Sequence, residues 1–158
     1  MKNSYSSTLR TIAFIFFIIT MFQCSPENSQ NIDIVNQYYK ALINGDSSYA
    51  EMILSADFTK INNGNREEPT GPKVLHKSIR NHQKRNSEYT YIIEEIFSDQ
   101  DFVAVRWRWK SINIKTGTPR NMDIPGQAIF RIDSGKISRQ WQSFDMAMFM
   151  RQLNGKVQ

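Results

Sequence analysis

The sequence predicts an α+β domain in which helices come first along the chain and an antiparallel sheet follows. In the first half, apolar residues recur at the three- and four-residue spacing of helices, interrupted by Gly and Pro. From residue 88 the apolar residues alternate with polar ones, which is the period of a strand. Because the two periods are segregated, we expect a sheet packed against N-terminal helices.

Residues 1–24 have the composition of a targeting segment. Lys2 and Arg10 precede the apolar run TIAFIFFIITMF, and Cys24, the only cysteine of the chain, follows this run directly. The arrangement resembles a bacterial lipoprotein signal, which implies a lipidated Cys24. An uncleaved anchor and an ordinary signal peptide are the alternatives. Residues 25–31 are predicted as a polar tether, which leaves 32–155 as the domain.

A first helix is predicted over residues 32–44 and ends at Gly45. Its apolar stripe consists of Val35, Tyr38, Tyr39, Leu42 and Ile43. A second, short helix follows, which either Asp46 or Ser48 can cap, and Ser48 and Glu51 have the spacing of a capping box. Tyr49 is expected on the inner side of this second helix.

A third helix is predicted to begin at Gly71 and Pro72, since Pro is favoured in the first turn. Leu75, Ile79 and His82 lie on one face of it, and we expect His82 to be a hydrogen-bonded core residue. The preceding stretch ADFTKINNGNREEPTG is rich in Asn, Gly and Pro, and it predicts a short strand followed by a loop.

Four long strands are predicted next, followed by a last helix. The strand segments are SEYTYIIEEIF, DFVAVRWRWKSINI, MDIPGQAIFRID and KISRQWQSF. Ser134 and Gly135 between the last two are typical of a tight hairpin. Apolar residues at helical spacing from Met146 to Leu153 complete the domain.

The segment RWRWK places two rings on one face of a strand and two guanidinium groups on the other. Trp107 and Trp109 alternate with Arg106 and Arg108. One interpretation is an aromatic pocket wall backed by a basic face for an anion or a partner. The other is a core face backed by a solvated or dimer-buried face.

Two roles are open for Asp145, which follows the last strand. If the strand continues to this residue, Trp141 and Asp145 share a face, and the carboxyl group could work as an acid and base in an apolar pocket. Alternatively, Asp145 accepts hydrogen bonds from the first N–H groups of the helix that begins beside it. Capping lowers a carboxyl pKa, whereas apolar burial raises it.

The order of these segments is similar to the SnoaL-like polyketide cyclase group of the nuclear transport factor 2-like superfamily. The resemblance covers residues 32–155 and rests on VNQYYKALINGD, Gly71, DFVAVRWRWK and AIFRIDSGKISRQWQSFDMAMFMRQLNG. It implies a cone, in which a curved antiparallel sheet wraps around helices and leaves an apolar pocket open at one end. It also implies a homodimer packed through the sheet.

The resemblance further implies that Asp145 moves a proton during aldol ring closure without a metal or cofactor. Family members commonly carry Glu-His before the Trp, where this chain has Arg139 and Gln140. We therefore carry two hypotheses for an envelope protein, membrane-anchored or periplasmic. Either an apolar or aromatic small molecule is bound and converted by proton transfer in cyclisation, isomerisation or hydrolysis, or it is bound without catalysis. The expected walls are Trp141, Trp107, Trp109 and Tyr38.

The net charge and the few potential metal-binding residues argue against a nucleic-acid-binding protein and against a transition-metal site. The formal net charge is +5, of which Lys2 and Arg10 supply two, and no extended basic run is interleaved with aromatic residues. A nucleic-acid partner is therefore not expected. With two histidines and one cysteine in the predicted leader, the sequence offers no obvious ligand set for a transition metal.

Overall fold

The computed structural model describes residues 26–155 and confirms the α+β class. The helices are α1 (Pro26–Asn44), α2 (Ala50–Ile53), α3 (Lys73–Arg85) and α4 (Met146–Leu153). The strands are β1 (Leu54–Asn62), β2 (Asn65–Arg66), β3 (Asn86–Asp99), β4 (Phe102–Asn113), β5 (Arg120–Asp133) and β6 (Lys136–Phe144). The predicted leader with Cys24 lies outside the described residues. No helix of the described part has the length and apolar character needed to span a bilayer.

All six strands form one sheet in the order β2-β1-β6-β5-β4-β3. The four long strands pair antiparallel with their neighbours along the chain, as predicted. β1 pairs with β6 in parallel, so the sheet is mixed rather than purely antiparallel. Register shifts interrupt β3 at Ile93/Glu95 and β5–β6 at Arg131/Ile132, and such bulges bend the strands that contain them.

The core lies between α1, α3 and the inner face of the sheet. Every second residue of β4 is buried, from Val103 to Trp109, as the alternating pattern predicts. The α1 stripe packs on this face, where Tyr38 and Tyr39 contact the ring of Phe130 edge-on. Each large apolar side chain buried here contributes on the order of 2 kcal/mol to folding.

Two helix boundaries differ from the prediction. α1 begins at Pro26 rather than near residue 32, so most of the predicted tether is helical. Asn31 is buried and its Nδ2 donates to the Gln100 carbonyl at 3.0 Å, which ties this turn to the sheet. The capping box of α2 is wrong, because Tyr49 occupies the N-cap position without a side-chain hydrogen bond and is 49% exposed.

The stretch expected to be a short strand and a loop begins inside the nine-residue strand β1, which starts two residues earlier at Leu54. Its alternation places Phe58 and Lys60 on the inner face, and both are buried. α3 then begins after Gly71 and Pro72, as predicted. A cationic side chain therefore points into the same interior as the apolar core.

Candidate functional site

A cavity of about 190 Å³ lies between α3, the inner face of the sheet and α4. One side is aromatic and includes Trp107 and Trp109 of β4 and Phe149 of α4. The other side carries Lys60, Glu67 and further polar groups of β1 and α3. An apolar wall facing convergent polar groups is the usual composition of a small-molecule site.

The aromatic wall follows from the alternation of β4. Trp107 and Trp109 are 2% and 8% exposed, which confirms the inward face predicted for this pair. Trp107 contacts Tyr91 edge-on with ring centroids 5.4 Å apart, and Trp109 lies 6.3 Å from Phe149. The indole Nε1 atoms of both tryptophans are buried and have no hydrogen-bond partner within the described chain, so each ring adds one unpaired N–H donor to an otherwise apolar wall.

Lys60 and Glu67 form the charged part of the cavity. The Lys60 Nζ lies 3.8 Å from Glu67 Oε1 and 3.5 Å from Ser78 Oγ. Burial lowers the pKa of Lys60, the Glu67 carboxylate opposes this shift, and the charge of Lys77 adds to it. Because burial is the largest cause, the ammonium loses more hydration than its neighbours replace.

A chain of hydrogen bonds runs from the core to this pair. The Tyr38 hydroxyl donates to Gln140 Oε1 at 2.8 Å, and Gln140 Nε2 donates to Gln142 Oε1 at 3.0 Å. Gln142 Nε2 donates to Asn62 Oδ1 at 3.4 Å, and Asn62 Nδ2 donates to Glu67 Oε1 at 3.0 Å. Every donor points toward Glu67, so the chain stabilises its negative charge.

His82 and Tyr91 form a second polar pair in the lining, with the hydroxyl 3.1 Å from His82 Nε2. Burial, followed by the charges of Lys60 and Arg85, lowers the pKa of His82 from 6.5 to about 4. Burial also raises the pKa of Tyr91. Both side chains are therefore neutral at neutral pH, and His82 stacks on Tyr89 at 4.9 Å.

Asp145 lies outside this cavity. It is exposed at the start of α4, where its Oδ1 accepts a hydrogen bond from the Met148 backbone N–H at 2.7 Å. The structure therefore places Asp145 in the capping geometry, which is one of the two roles left open by the sequence. Its predicted role as a proton carrier has no support in this placement.

The bulge in β6 explains why Trp141 also lies away from the cavity. Arg131 pairs with Arg139 but Ile132 pairs with Ile137, so Ser138 is an extra residue and the faces exchange after it. Trp141 consequently lies on the outer face, where the Arg139 guanidinium is 5.4 Å from its ring centroid. The expectation that Trp141 lines an inner pocket is wrong.

Tyr38 likewise does not line the cavity. Its ring is fully buried between α1 and the sheet. Its hydroxyl group is connected to the cavity only through the hydrogen bond to Gln140. Gln140 and Gln142 take the inward positions that the sequence assigned to Trp141 and its face.

The basic face of β4 is neutralised rather than free for an anion. Arg108 bonds Glu94 and Asp123 at 3.0 and 2.9 Å, and Arg106 bonds Glu95 at 3.0 Å. Within residues 26–155, no group of three or more His, Cys, Asp or Glu could hold a metal ion.

Lys60 and Glu67 were missed by the sequence reasoning. The signal for Lys60 was present in FTKIN, where Lys60 follows the apolar Phe58 by two residues. Side chains two residues apart in a strand point to the same face, so Lys60 faces inward with Phe58. It was overlooked because the following Asn- and Gly-rich residues predicted a loop. Glu67 carries no comparable signal, since the loop after β2 brings it back to β1.

The family model of SnoaL-like polyketide cyclases matches residues 32–153, and the chain belongs to this family. No curated protein matches the sequence.

Solved structures show the same fold. A protein of Jannaschia sp. CCS1, described as a SnoaL-like polyketide cyclase, superposes with a TM-score of 0.72 at 16% identity, over 82% of this chain and 95% of that one. An LEH-like epoxide hydrolase of M. tuberculosis gives 0.67 at 25% identity, over 82% and 94%. IdmH of Streptomyces antibioticus, described as a polyketide cyclase, gives 0.68 at 21% identity, over 79% and 99%.

Proposed function

We propose that this domain binds a small aromatic or apolar molecule in the cavity beside α3. The observation that carries this proposal is one cavity, open to solvent on one side, that is shared by the Trp107 and Trp109 rings and by the polar groups around Lys60. The volume of about 190 Å³ exceeds the roughly 150 Å³ of an engineered cavity that holds benzene. The cavity therefore suits a ligand with one ring better than a polycyclic one.

Binding is tested by titrating acetophenone, and separately a sterol, into the protein. The measured signal is the quenching of tryptophan fluorescence. Trp107 and Trp109 line the cavity and Trp141 lies outside it, so the chain supplies its own control. We expect saturable quenching by acetophenone that persists in Trp141→Phe and decreases in Trp107→Phe or Trp109→Phe. Unsaturable quenching, or a decrease confined to Trp141→Phe, would refute binding in this cavity.

A second candidate is proton transfer without a cofactor, favoured by the Glu67 carboxylate facing the Lys60 ammonium at 3.8 Å. Glu67 would take a proton from the carbon beside a carbonyl group, Lys60 would stabilise the enolate oxygen, and the proton would then return. Deuterium uptake by the acetophenone methyl group measures this step, and Glu67→Gln should abolish it. Binding without uptake would refute this proton transfer from a carbon atom.

Hydrolysis gives a parallel assay. The M. tuberculosis protein that is 25% identical to this chain is named an epoxide hydrolase. If Glu67 accepts a proton from water, the hydroxide opens an epoxide and the alkoxide product is reprotonated. Styrene oxide, which has one ring, should then yield its diol in the wild type and not in Glu67→Gln.

We also propose an envelope location through a lipid on Cys24. The support is the sequence alone: a positive start, an apolar run and the single cysteine immediately after it. The experiment expresses the full chain in bacteria with an alkyne fatty acid. Label should appear in the membrane fraction for the wild type and disappear in Cys24→Ser, whereas label-free membrane retention would indicate an uncleaved anchor.

A homodimer through the outer face of the sheet is the remaining proposal. Phe97 and Ile129 are exposed on this face, and the strand register places both in one row with Trp141. An exposed apolar patch surrounded by charged residues is typical of protein interfaces. Light scattering on the mature chain should give twice the monomer mass, and Ile129→Glu should reduce it to the monomer mass.

A further inference from the structure

The charged residues that line the cavity are not balanced. Lys60 and Arg85 are cations, Glu67 is the anion and lies 3.8 Å from Lys60, and the half-buried His82 is neutral. The described lining therefore has one positive charge in excess. Because Arg85 is exposed and Lys60 is buried, this excess acts on the charge of a ligand chiefly through Lys60.

Lys60 also has unused capacity to donate hydrogen bonds. An ammonium group carries three N–H donors. Its contacts with Ser78 Oγ at 3.5 Å and Glu67 Oε1 at 3.8 Å are both long compared with the roughly 2.7–2.9 Å of a charge-assisted hydrogen bond. Glu67, in contrast, already accepts a hydrogen bond from Asn62 at 3.0 Å.

We propose that the cavity selects a one-ring aromatic carboxylate, with its carboxylate on Lys60 and its ring against Trp107 and Trp109. The inference rests on the proposed binding function and names the ligand class of that site. An anion on Lys60 would replace the hydration that the ammonium loses on burial, the same loss that lowers its pKa. The aromatic wall would bury the ring.

Three probes of nearly equal shape separate charge from ring binding: benzoate, benzamide and benzamidinium. Each is titrated into the protein and followed by calorimetry and tryptophan fluorescence. We expect benzoate to bind at least tenfold more tightly than benzamide, and benzamidinium to bind most weakly. Because a hydrogen bond to a charged group is worth about 1.5–3 kcal/mol, a tenfold or larger preference is the scale to expect.

Lys60→Met removes the charge with little change in volume and should bring benzoate down to the affinity of benzamide. Lys84→Met, at an exposed position of α3, is the matched control and should leave the preference unchanged. If Lys60→Met destabilises the fold by leaving Glu67 unpaired, the double variant with Glu67→Gln removes both charges.

The outcomes distinguish this inference from the binding function on which it rests. Equal binding of all three probes would overturn anion selection and keep the pocket as a ring site. Tightest binding of benzamidinium would overturn it in favour of Glu67 as the recognising group. Binding of none of the three would overturn the proposed binding function together with the inference.

Discussion

The Oδ1 atom of Asp145 accepts a hydrogen bond from the backbone N–H of Met148 at 2.7 Å, in the first turn of α4. This contact satisfies one of the amide groups that a helix leaves unpaired at its start. Asp145→Ala should therefore lower the free energy of unfolding by about 1 kcal/mol. Chemical denaturation measures the change.

The matched control for this prediction is Asp145→Asn, because Asn is an equally good N-cap residue. It should retain nearly all of the wild-type stability, and neither variant should change ligand affinity. If Asp145→Asn instead abolished a measured turnover at unchanged stability, Asp145 would be the proton carrier that the family resemblance implies.

The failure to place Trp141 from sequence has a specific cause. Strand parity correctly predicted the inward Trp107 and Trp109, because β4 pairs with β5 in unbroken register. β6 contains an extra residue, Ser138, and one inserted residue exchanges the two faces of a strand. Nothing in KISRQWQSF marks this insertion, so parity counted from Ile137 places Trp141 on the wrong face.

The order of helices and strands could be predicted because each follows from local periodicity. The parallel pairing of β1 with β6 could not, since Ile61 and Trp141 are distant in sequence and their contact depends on the whole topology. The same pairing aligns Asn62 with Gln142, so the hydrogen-bond chain that reaches Glu67 was equally hidden.

Tyr38 and Tyr39 are adjacent and both buried, but only Tyr38 uses its hydroxyl group. Tyr38 donates to Gln140, whereas the Tyr39 hydroxyl has no partner within residues 26–155. Tyr38→Phe should cost about 1–3 kcal/mol, because it leaves the buried Gln140 oxygen unsatisfied. Tyr39→Phe removes an unpaired polar group and should be neutral or stabilising. Equal losses in thermal denaturation would contradict this assignment.

The half-buried His82 predicts a loss of stability in acid. Its pKa is about 4 in the folded chain and near 6.5 when unfolded, so the unfolded chain binds the proton first as pH falls. The stability contributed by neutral His82 is complete above about pH 6.5 and is lost toward pH 4, on the order of 3 kcal/mol in total. The positive charges of Lys60 and Arg85 disfavour the protonated form of His82. The other neighbours of the ring, Tyr89 and Tyr91, carry no negative charge that would stabilise it.

The measurement compares the free energy of unfolding at about pH 7 and about pH 4.5 in variants of the two histidines. In His82→Gln the difference between the two pH values should be smaller than in the wild type, by most of the histidine contribution. His76→Gln, on the same helix, should retain the wild-type difference. An unchanged pH dependence in His82→Gln would mean that His82 charges freely in the folded chain.

Gly126 of β5 keeps the aromatic wall in place, because it pairs with Trp107 across the strands and its missing side chain makes room for the ring. A Cβ atom at this position would lie 2.3 Å from the Trp107 ring. Gly126→Ala should therefore displace the ring, cost about 1–3 kcal/mol and shift tryptophan emission. Gln127→Ala, at the exposed neighbouring position, should change neither quantity.

Because the displaced ring would enter the cavity or open it to water, Gly126→Ala should also weaken binding of a one-ring ligand. Unchanged emission and affinity would show that the wall tolerates a larger residue here.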